Sequence, residues 1–175
     1  MKNEQLIGSK LTLFKFKHFD KIKEHINVPD TNIIHFFNNR KWHSYELLLY
    51  LLFISGPGNV IVTTFGLSEE AIRALNKAKQ AGYIKKLTLI LNKSSKQFKK
   101  PLLYFLKNIA DETYFTLIHA KIFLISNNDF KITVNQSANF STNPTIESGI
   151  VTNNNEVFDL YFKNIQMIIN NSNKL

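Results

Sequence analysis

The chain has 175 residues, 44% of them hydrophobic, and this size is enough for one domain that buries a core. It contains no cysteine, which excludes a disulfide framework and thiolate metal sites. Lysine and arginine total 22 against 13 acidic residues, a formal charge of +9, and this surplus favours polyanionic partners such as nucleic acid or anionic lipid. A compositional bias towards lysine and asparagine, with solvated charged faces, is the alternative explanation.

Neither a signal peptide nor a membrane span is expected. The first 17 residues are interrupted by charges and lack the apolar segment of a signal peptide. The longest apolar run, residues 47–54, is far shorter than the roughly 20 residues that a membrane-spanning helix needs. We therefore expect a cytoplasmic protein without stable membrane insertion.

The first part of the chain predicts two short strands, at residues 11–16 and 32–37, with a mixed-charge helix at residues 20–25 between them. Two histidines near that helix, His18 and His25, lie among lysines and glutamates and are expected to be solvated surface residues.

A second helix is predicted over residues 45–54, where Ser44 is a favourable N-cap and Gly56 ends the segment. This helix is almost wholly apolar, which predicts a core helix, with a dimer surface as the alternative.

From residue 59 onwards, strands alternate with helices. Strands are predicted at residues 59–65, 86–91 and 149–152, and helices at residues 69–81, 101–110 and 156–169. Ser68 is a favourable N-cap for the first of these helices, and Gly82 ends it. The alternation predicts an α/β fold with a mostly parallel or mixed sheet flanked by helices on both faces. We expect a single domain over residues 1–175, with N-terminal strands and helix up to residue 58 and the core in residues 59–175.

Four lysines lie in the polar segment that follows the predicted strand at residues 86–91. In open α/β sheets, ligands bind beyond the carboxyl ends of the strands. Lys93, Lys96, Lys99 and Lys100 are therefore candidate nucleic-acid-binding residues, while a solvated lysine loop is the alternative interpretation.

Polar residues mark the ends of two apolar strands around residues 118–139. Because successive side chains of a strand point to opposite faces, His119 and Lys121 share one face, and Ser137 and Asn139 do the same. The Asn-Asn-Asp sequence at residues 127–129 supplies turn chemistry, which predicts a hairpin that brings both pairs together.

The same residues resemble the signature of the phospholipase D superfamily, which is H-x-K, then G-S-x-N, then a glutamate. The chain has H-A-K at residues 119–121, S-A-N at residues 137–139, and Glu147. It departs from the pattern at Ser126, where many members have aspartate, and at Gln136, where the signature has glycine. The motif occurs once, as in the short nuclease-like members.

The resemblance implies a metal-independent phosphodiesterase that needs no cofactor. His119 would attack phosphorus and form a phosphohistidine, while Lys121 and Asn139 would hold the phosphoryl oxygens. Ser137 would assist by hydrogen bonding, and Glu147 would orient a histidine ring. Because this chemistry needs two histidines and the chain has one motif, the resemblance also implies a homodimer with a shared site.

Three classes of function follow from these expectations. A nuclease acting on nucleic acid is favoured by the positive charge and the single motif. A phospholipid hydrolase is the alternative substrate class, and a catalytically inactive nucleic-acid binding module is the alternative without chemistry.

Overall fold

The computed structural model describes residues 18–26, 33–94, 100–142 and 145–175. Eight described strands form one sheet: β1 (Ile33–Asn39), β2 (Gly58–Thr64), β3 (Ile84–Asn92), β4 (Glu112–Thr116), β5 (Lys121–Ser126), β6 (Lys131–Gln136), β7 (Ile146–Thr152) and β8 (Asn173–Lys174). The described helices are α1 (Phe19–Lys23), α2 (Ser44–Ser55), α3 (Glu69–Gln80), α4 (Lys100–Ile109) and α5 (Asn155–Asn170). The strand predicted at residues 11–16 lies outside the described residues.

The sheet is mixed, with the strand order β1-β7-β6-β5-β2-β3-β4-β8. Parallel pairing, which was expected to predominate, is confined to β2, β3 and β4, and the other neighbours are antiparallel. The reason is the length of the later connections. The four residues between β5 and β6, and the nine between β6 and β7, leave no room for the helical crossover that parallel neighbours require.

Helices cover both faces of the sheet, as predicted. On one face, α2, α3 and α4 pack on apolar residues of β2, β3 and β5, of which Val62, Leu89 and Phe123 are fully buried. On the other face, α5 contributes Phe158 and Ile165 to a second cluster. Neighbouring strand residues alternate between the two clusters, as the period of a β-strand requires. Helix α2 is a core helix, because its leucines are buried.

The predicted hairpin is confirmed. Strands β5 and β6 pair antiparallel in a register that places Lys121 opposite Gln136 and Ser126 opposite Lys131. The Asn127 side chain closes the turn, because its Oδ1 accepts the N–H groups of Asp129 at 2.9 Å and of Phe130 at 2.8 Å.

Two helix starts illustrate what the sequence indicates correctly and what it does not. The Ser68 hydroxyl accepts the Ala71 N–H at 3.2 Å, so the predicted cap of α3 is confirmed. The predicted Ser44 cap is wrong, because His43 is the N-cap of α2 and Ser44 is already helical. The carboxylate of Glu46 accepts the His43 N–H at 2.7 Å, which begins the helix one residue earlier.

Candidate active site

One end of the sheet brings the motif residues together. His119 lies two residues before β5, Lys121 begins this strand, and Ser137 directly follows β6. Since Lys121 pairs with Gln136, and Gln136 pairs with Gly149 of β7, the three strands meet at this end. The carboxyl end of β2 lies beside β5 at the same level, where Thr63 pairs with Ile122.

Buried polar side chains hold the backbone on both sides of His119. The Thr63 hydroxyl donates to the carbonyl oxygen of Ala120 at 3.2 Å and accepts the Ile122 N–H at 3.0 Å. The Asn92 Nδ2 donates to the carbonyl oxygen of Ile118 at 2.6 Å. Both side chains are buried, and buried hydrogen bonds of this kind fix backbone geometry. Sequence reasoning missed these two supports, although a polar residue ending an apolar strand was the available signal.

His119 itself is exposed, and Lys121 contacts its ring. The Lys121 Nζ lies 3.1 Å from Nδ1 and 3.2 Å from Nε2 of His119, and it donates to the His119 carbonyl oxygen at 2.7 Å. The Phe65 ring contacts the imidazole at a tilt of 58°, with 5.4 Å between the two ring centroids. The imidazole is therefore accessible to a ligand, while a cation and an aromatic ring restrict its orientation.

Lys121 is an unusual lysine because only 7% of it is exposed. Burial lowers its pKa below the ordinary 10.5, while the negative charge of Glu147 raises the pKa and offsets part of that effect. The ammonium thus lies in a partly dry environment, where a charge acts more strongly on a neighbouring group than it does in water.

The environment of Lys121 can be tested by NMR. We expect a ¹³Cε titration of Lys121 to give a pKa below 10.5, and the Glu147→Gln variant to lower this pKa further, because it removes the charge that favours the ammonium. A rise of the Lys121 pKa in Glu147→Gln would contradict this arrangement.

Ser137 and Glu147 form a hydrogen-bonded pair next to these residues. The Ser137 hydroxyl donates to Oε2 of Glu147 and accepts the Ser148 N–H at 3.0 Å. The Thr145 hydroxyl donates to Oε1 of the same carboxylate. Among the described residues, the partners of Glu147 are hydroxyls, so a contact between Glu147 and a histidine ring stays a prediction.

Asn139 is oriented by the loop that follows β2. Its Oδ1 accepts the Gly66 N–H at 3.3 Å and lies 3.4 Å from the Thr64 hydroxyl. Thr64 in turn accepts the N–H of Phe140 at 3.2 Å, which ties the two segments together. Since the oxygen of the Asn139 amide is directed towards the protein, its Nδ2 is the atom available to donate to a ligand oxygen.

Gln136, which replaces the glycine of the signature, is accommodated by a glycine on the neighbouring strand. It is 8% exposed, and its Nε2 has no hydrogen-bond partner among the described residues. A Cβ added to Gly149, its partner on β7, would lie 2.8 Å from the Gln136 Cβ and 2.6 Å from the Phe36 ring. The absence of a side chain at residue 149 therefore makes room for the one at residue 136.

A cavity of about 80 Å³ adjoins the motif residues. Asn139 and Glu147 form one wall, and the opposite wall comes from the N-terminal part of the chain. The residues of that wall are His18, Asn38, Arg40, Trp42, His43 and Ser44.

The two N-terminal histidines are not the solvated residues that were expected. The His18 Nδ1 lies 2.9 Å from Oε2 of Glu46, which is 5% exposed, and the His25 Nε2 lies 2.7 Å from Nζ of Lys41. Both histidines are half-buried. The prediction was wrong because their partners are 28 and 16 residues distant in sequence, and neighbouring residues alone do not indicate such contacts.

The lysine segment is described only at its ends. Lys93 is exposed just after β3, and Lys100 begins α4, whereas Lys96 and Lys99 lie outside the described residues. Their role in binding stays a prediction.

Within residues 18–26, 33–94, 100–142 and 145–175, no three histidine, aspartate or glutamate side chains are grouped so that they could hold a metal ion. No helix within these ranges has the length and apolar character needed to cross a membrane.

Solved structures with the same architecture identify the fold. No protein-family model matches the chain, and no curated protein sequence is significantly similar to it. NucT from Helicobacter pylori superposes with a TM-score of 0.60 at 16% identity, covering 80% of this chain and 97% of its own. Nuc from Salmonella typhimurium, a phospholipase D family member, gives 0.61 at 14% identity, covering 82% and 97%. The phosphatidylserine synthase of Haemophilus influenzae gives 0.63 at 11% identity, covering 86% of this chain and 41% of its own.

The chain therefore has a phospholipase D-like fold, and the predicted fold class is confirmed. The H-x-K and S-x-N motifs lie at the same end of this sheet, around β5, β6 and the loop after β2.

Proposed function

We propose that this chain is a metal-independent phosphodiesterase that cleaves nucleic acid through a phosphohistidine at His119. The observation that carries the proposal is the exposed imidazole on a backbone held by Thr63 and Asn92, with Lys121 beside it. The likeness of the fold to a phospholipase D family member supports the same reaction class.

In the proposed reaction, a ring nitrogen of His119 attacks phosphorus, and the P–N bond forms as the bond to the leaving oxygen breaks. A second histidine gives its proton to that oxygen. Water then attacks the phosphohistidine, the P–N bond breaks, and the second histidine takes up a proton from the water. Lys121 and the Nδ2 of Asn139 would hold the phosphoryl oxygens, where their positive charge and hydrogen bond stabilise the charge that develops. Neither a metal nor a cofactor takes part in these steps.

Ser137 and Glu147 would position other side chains of the site and would not contact the phosphorus atom. The Glu147 carboxylate is held by two hydroxyls, and its charge favours the ammonium form of Lys121. We propose that the pair keeps Lys121 charged and orients the histidine supplied by a second chain.

That second histidine implies an isologous homodimer, in which the two His119 rings face each other in one shared site. An exposed apolar surface at the β1 edge of the sheet offers a place where a second chain could bind. Phe37 is 74% exposed on the edge strand β1, and Ile33 and Ile146 on the same face are 53% and 59% exposed. Exposed apolar side chains of this size are typical of surfaces that bind a partner, and because successive residues of a strand alternate between faces, this surface lies on the face of β7 opposite to the Glu147 side chain.

The net charge of +9 favours nucleic acid over a neutral substrate. Three assays separate this function from its alternatives, each with and without chelator: cleavage of DNA and RNA, hydrolysis of phospholipid vesicles, and binding of nucleic acid by the His119→Asn protein. Cleavage of nucleic acid that needs His119 supports the proposal. Hydrolysis of phospholipid alone identifies a lipase, and binding without cleavage identifies a binding module.

Neutralising the lysine segment tests its proposed part in substrate binding. We expect replacement of Lys93, Lys96, Lys99 and Lys100 by glutamine to weaken nucleic-acid binding and to reduce its salt dependence, by about 0.9 log units of slope for each lost duplex-phosphate contact. The matched control replaces four exposed lysines elsewhere, Lys77, Lys85, Lys107 and Lys163. An equal change of slope in both variants would mean that the segment contributes only general charge.

A further inference from the structure

The cavity beside the motif residues contains a group of side chains that the proposed reaction does not use. Its far wall consists of residues from the start of the described chain, β1 and the first turn of α2, whereas Asn139 and Glu147 form the near wall. Strand β1 reaches this position because it pairs antiparallel with β7, which places Asn38 directly opposite Glu147.

His18 is oriented within this cavity by a buried carboxylate. Glu46 is 5% exposed and accepts both the backbone N–H of His43 at 2.7 Å and the Nδ1 side of the His18 ring at 2.9 Å. With Nδ1 directed to Glu46, the ring has Nε2 available for another partner. A carboxylate that fixes an imidazole in this way is typical of histidines that bind or transfer protons.

Arg40 is held beside it in a conformation that few residues adopt. Its φ is +58°, in the left-handed region where a residue with a side chain is uncommon. The buried Asn38 maintains this turn, because its Oδ1 accepts the Lys41 N–H at 2.8 Å and its Nδ2 donates to the Trp42 carbonyl oxygen at 2.6 Å. The turn places an exposed arginine on the rim of the cavity.

The size of the cavity and the charges of its lining residues indicate which class of ligand it can bind. About 80 Å³ accommodates several water molecules or one small anion. The guanidinium donates hydrogen bonds to phosphate oxygens, and arginine is the side chain that binds phosphate with two parallel hydrogen bonds. The His18 ring adds a donor at Nε2 in its protonated form. The N-terminus of α2 at His43 adds partial positive charge at the same place.

We propose that Arg40 and His18 form a second phosphate-binding subsite, which takes the phosphate group next to the scissile one along a nucleic-acid strand. The identity of this ligand rests on the proposed function, in which the substrate is a nucleic acid. The subsite adds a preference for substrates that have more than one phosphate group. Glu147 on the near wall, held by Ser137 and Thr145, separates this subsite from the reacting phosphate.

The kinetic test compares two single substitutions, each of which removes one positive charge. Arg40→Asn removes the guanidinium and keeps a residue that tolerates a positive φ, and Arg73→Asn is the matched control on α3, where Arg73 pairs with Glu69. We expect Arg40→Asn to raise KM about tenfold more for an oligonucleotide than for a diester with a single phosphate, the effect of one charge-assisted hydrogen bond. Equal losses on both substrates, or an equal effect of Arg73→Asn, would overturn the subsite.

A binding test does not depend on catalysis. The chain has two arginines, so the arginine Nε–Hε region of an NMR spectrum of the His119→Asn protein contains one signal for Arg40 and one for Arg73. On addition of pyrophosphate, we expect a saturable shift of the Arg40 signal with little change at Arg73. No shift at Arg40, or the same shift at both, would overturn the subsite. If the wild-type protein cleaves neither substrate, the proposed function fails, and this titration still decides whether the subsite exists.

Discussion

His119→Asn is expected to reduce nucleic-acid cleavage more than about a hundredfold. Asparagine retains a hydrogen-bonding amide near the position of the imidazole but can neither attack phosphorus nor carry a proton. General acid catalysis alone contributes roughly 10²–10⁴ in rate, and the variant removes the nucleophile as well. Because the side chain is exposed and the backbone around it is held by Thr63 and Asn92, the loss should occur without a change in stability.

Two measurements distinguish the loss of the nucleophile from a loss of folded protein. Thermal unfolding of His119→Asn should match that of the wild type, and denaturation during turnover at alkaline pH, where the P–N bond of a phosphohistidine survives, should trap a modified histidine in the wild type only. We also expect wild-type activity to persist in EDTA. Abolition of the reaction by EDTA, or full activity of the variant, would rule out the phosphohistidine route.

The part of the site that lies on the hairpin could be predicted from the sequence because its determinants are local. The apolar alternation of β5 and β6 and the turn at Asn127 fix the register, and the register alone brings Lys121 and Gln136 together. The length of the connection after β6 then determines that β7 follows as an antiparallel neighbour with Glu147 at the same end.

The other half of the site could not be predicted, because it depends on contacts between distant segments. The pairing of Asn38 with Glu147 joins residues more than 100 positions apart, and no local pattern indicates it. The same holds for His18 and Glu46, whose contact at 2.9 Å orients a histidine that the sequence alone predicts to be a solvated surface residue. The short strand β4 was missed because its five residues, ETYFT, contain too little alternation to be distinguished from a loop.

Gln136, which replaces the glycine of the signature, is also accommodated by a residue that is distant in sequence. Glycine in the signature gives space, and here the space is provided by Gly149 on the adjacent strand. A side chain at residue 136 is therefore compatible with the sheet, and the position of Ser137 next to it is kept by its backbone hydrogen bond to Ser148 at 2.9 Å. The glycine at residue 149 therefore leaves the hairpin geometry intact.

The proposed dimer predicts how activity depends on pH and how dimers of one wild-type and one variant chain behave. In an isologous dimer, one His119 must be neutral to attack while its twin must be protonated to act as the acid, so the active form of the pair carries one proton. Two close imidazoles titrate as a coupled unit, since the first proton makes the second harder to add. Because the rate falls when the pair carries no proton and again when it carries two, we expect a bell-shaped dependence of rate on pH.

A hybrid dimer of one wild-type and one His119→Asn chain should therefore lose nearly all activity. The loss should exceed about a hundredfold, as in the dimer that has His119→Asn in both chains. If each chain worked alone, the hybrid would keep half. Chains with different affinity tags allow the hybrid to be purified, and light scattering gives its mass. The control is a hybrid of wild-type and Arg73→Asn chains, which should keep full activity because Arg73 lies on the exposed surface of α3. Half-activity in the His119→Asn hybrid, or undiminished activity of a monomer at high dilution, would show that each chain contains a complete site.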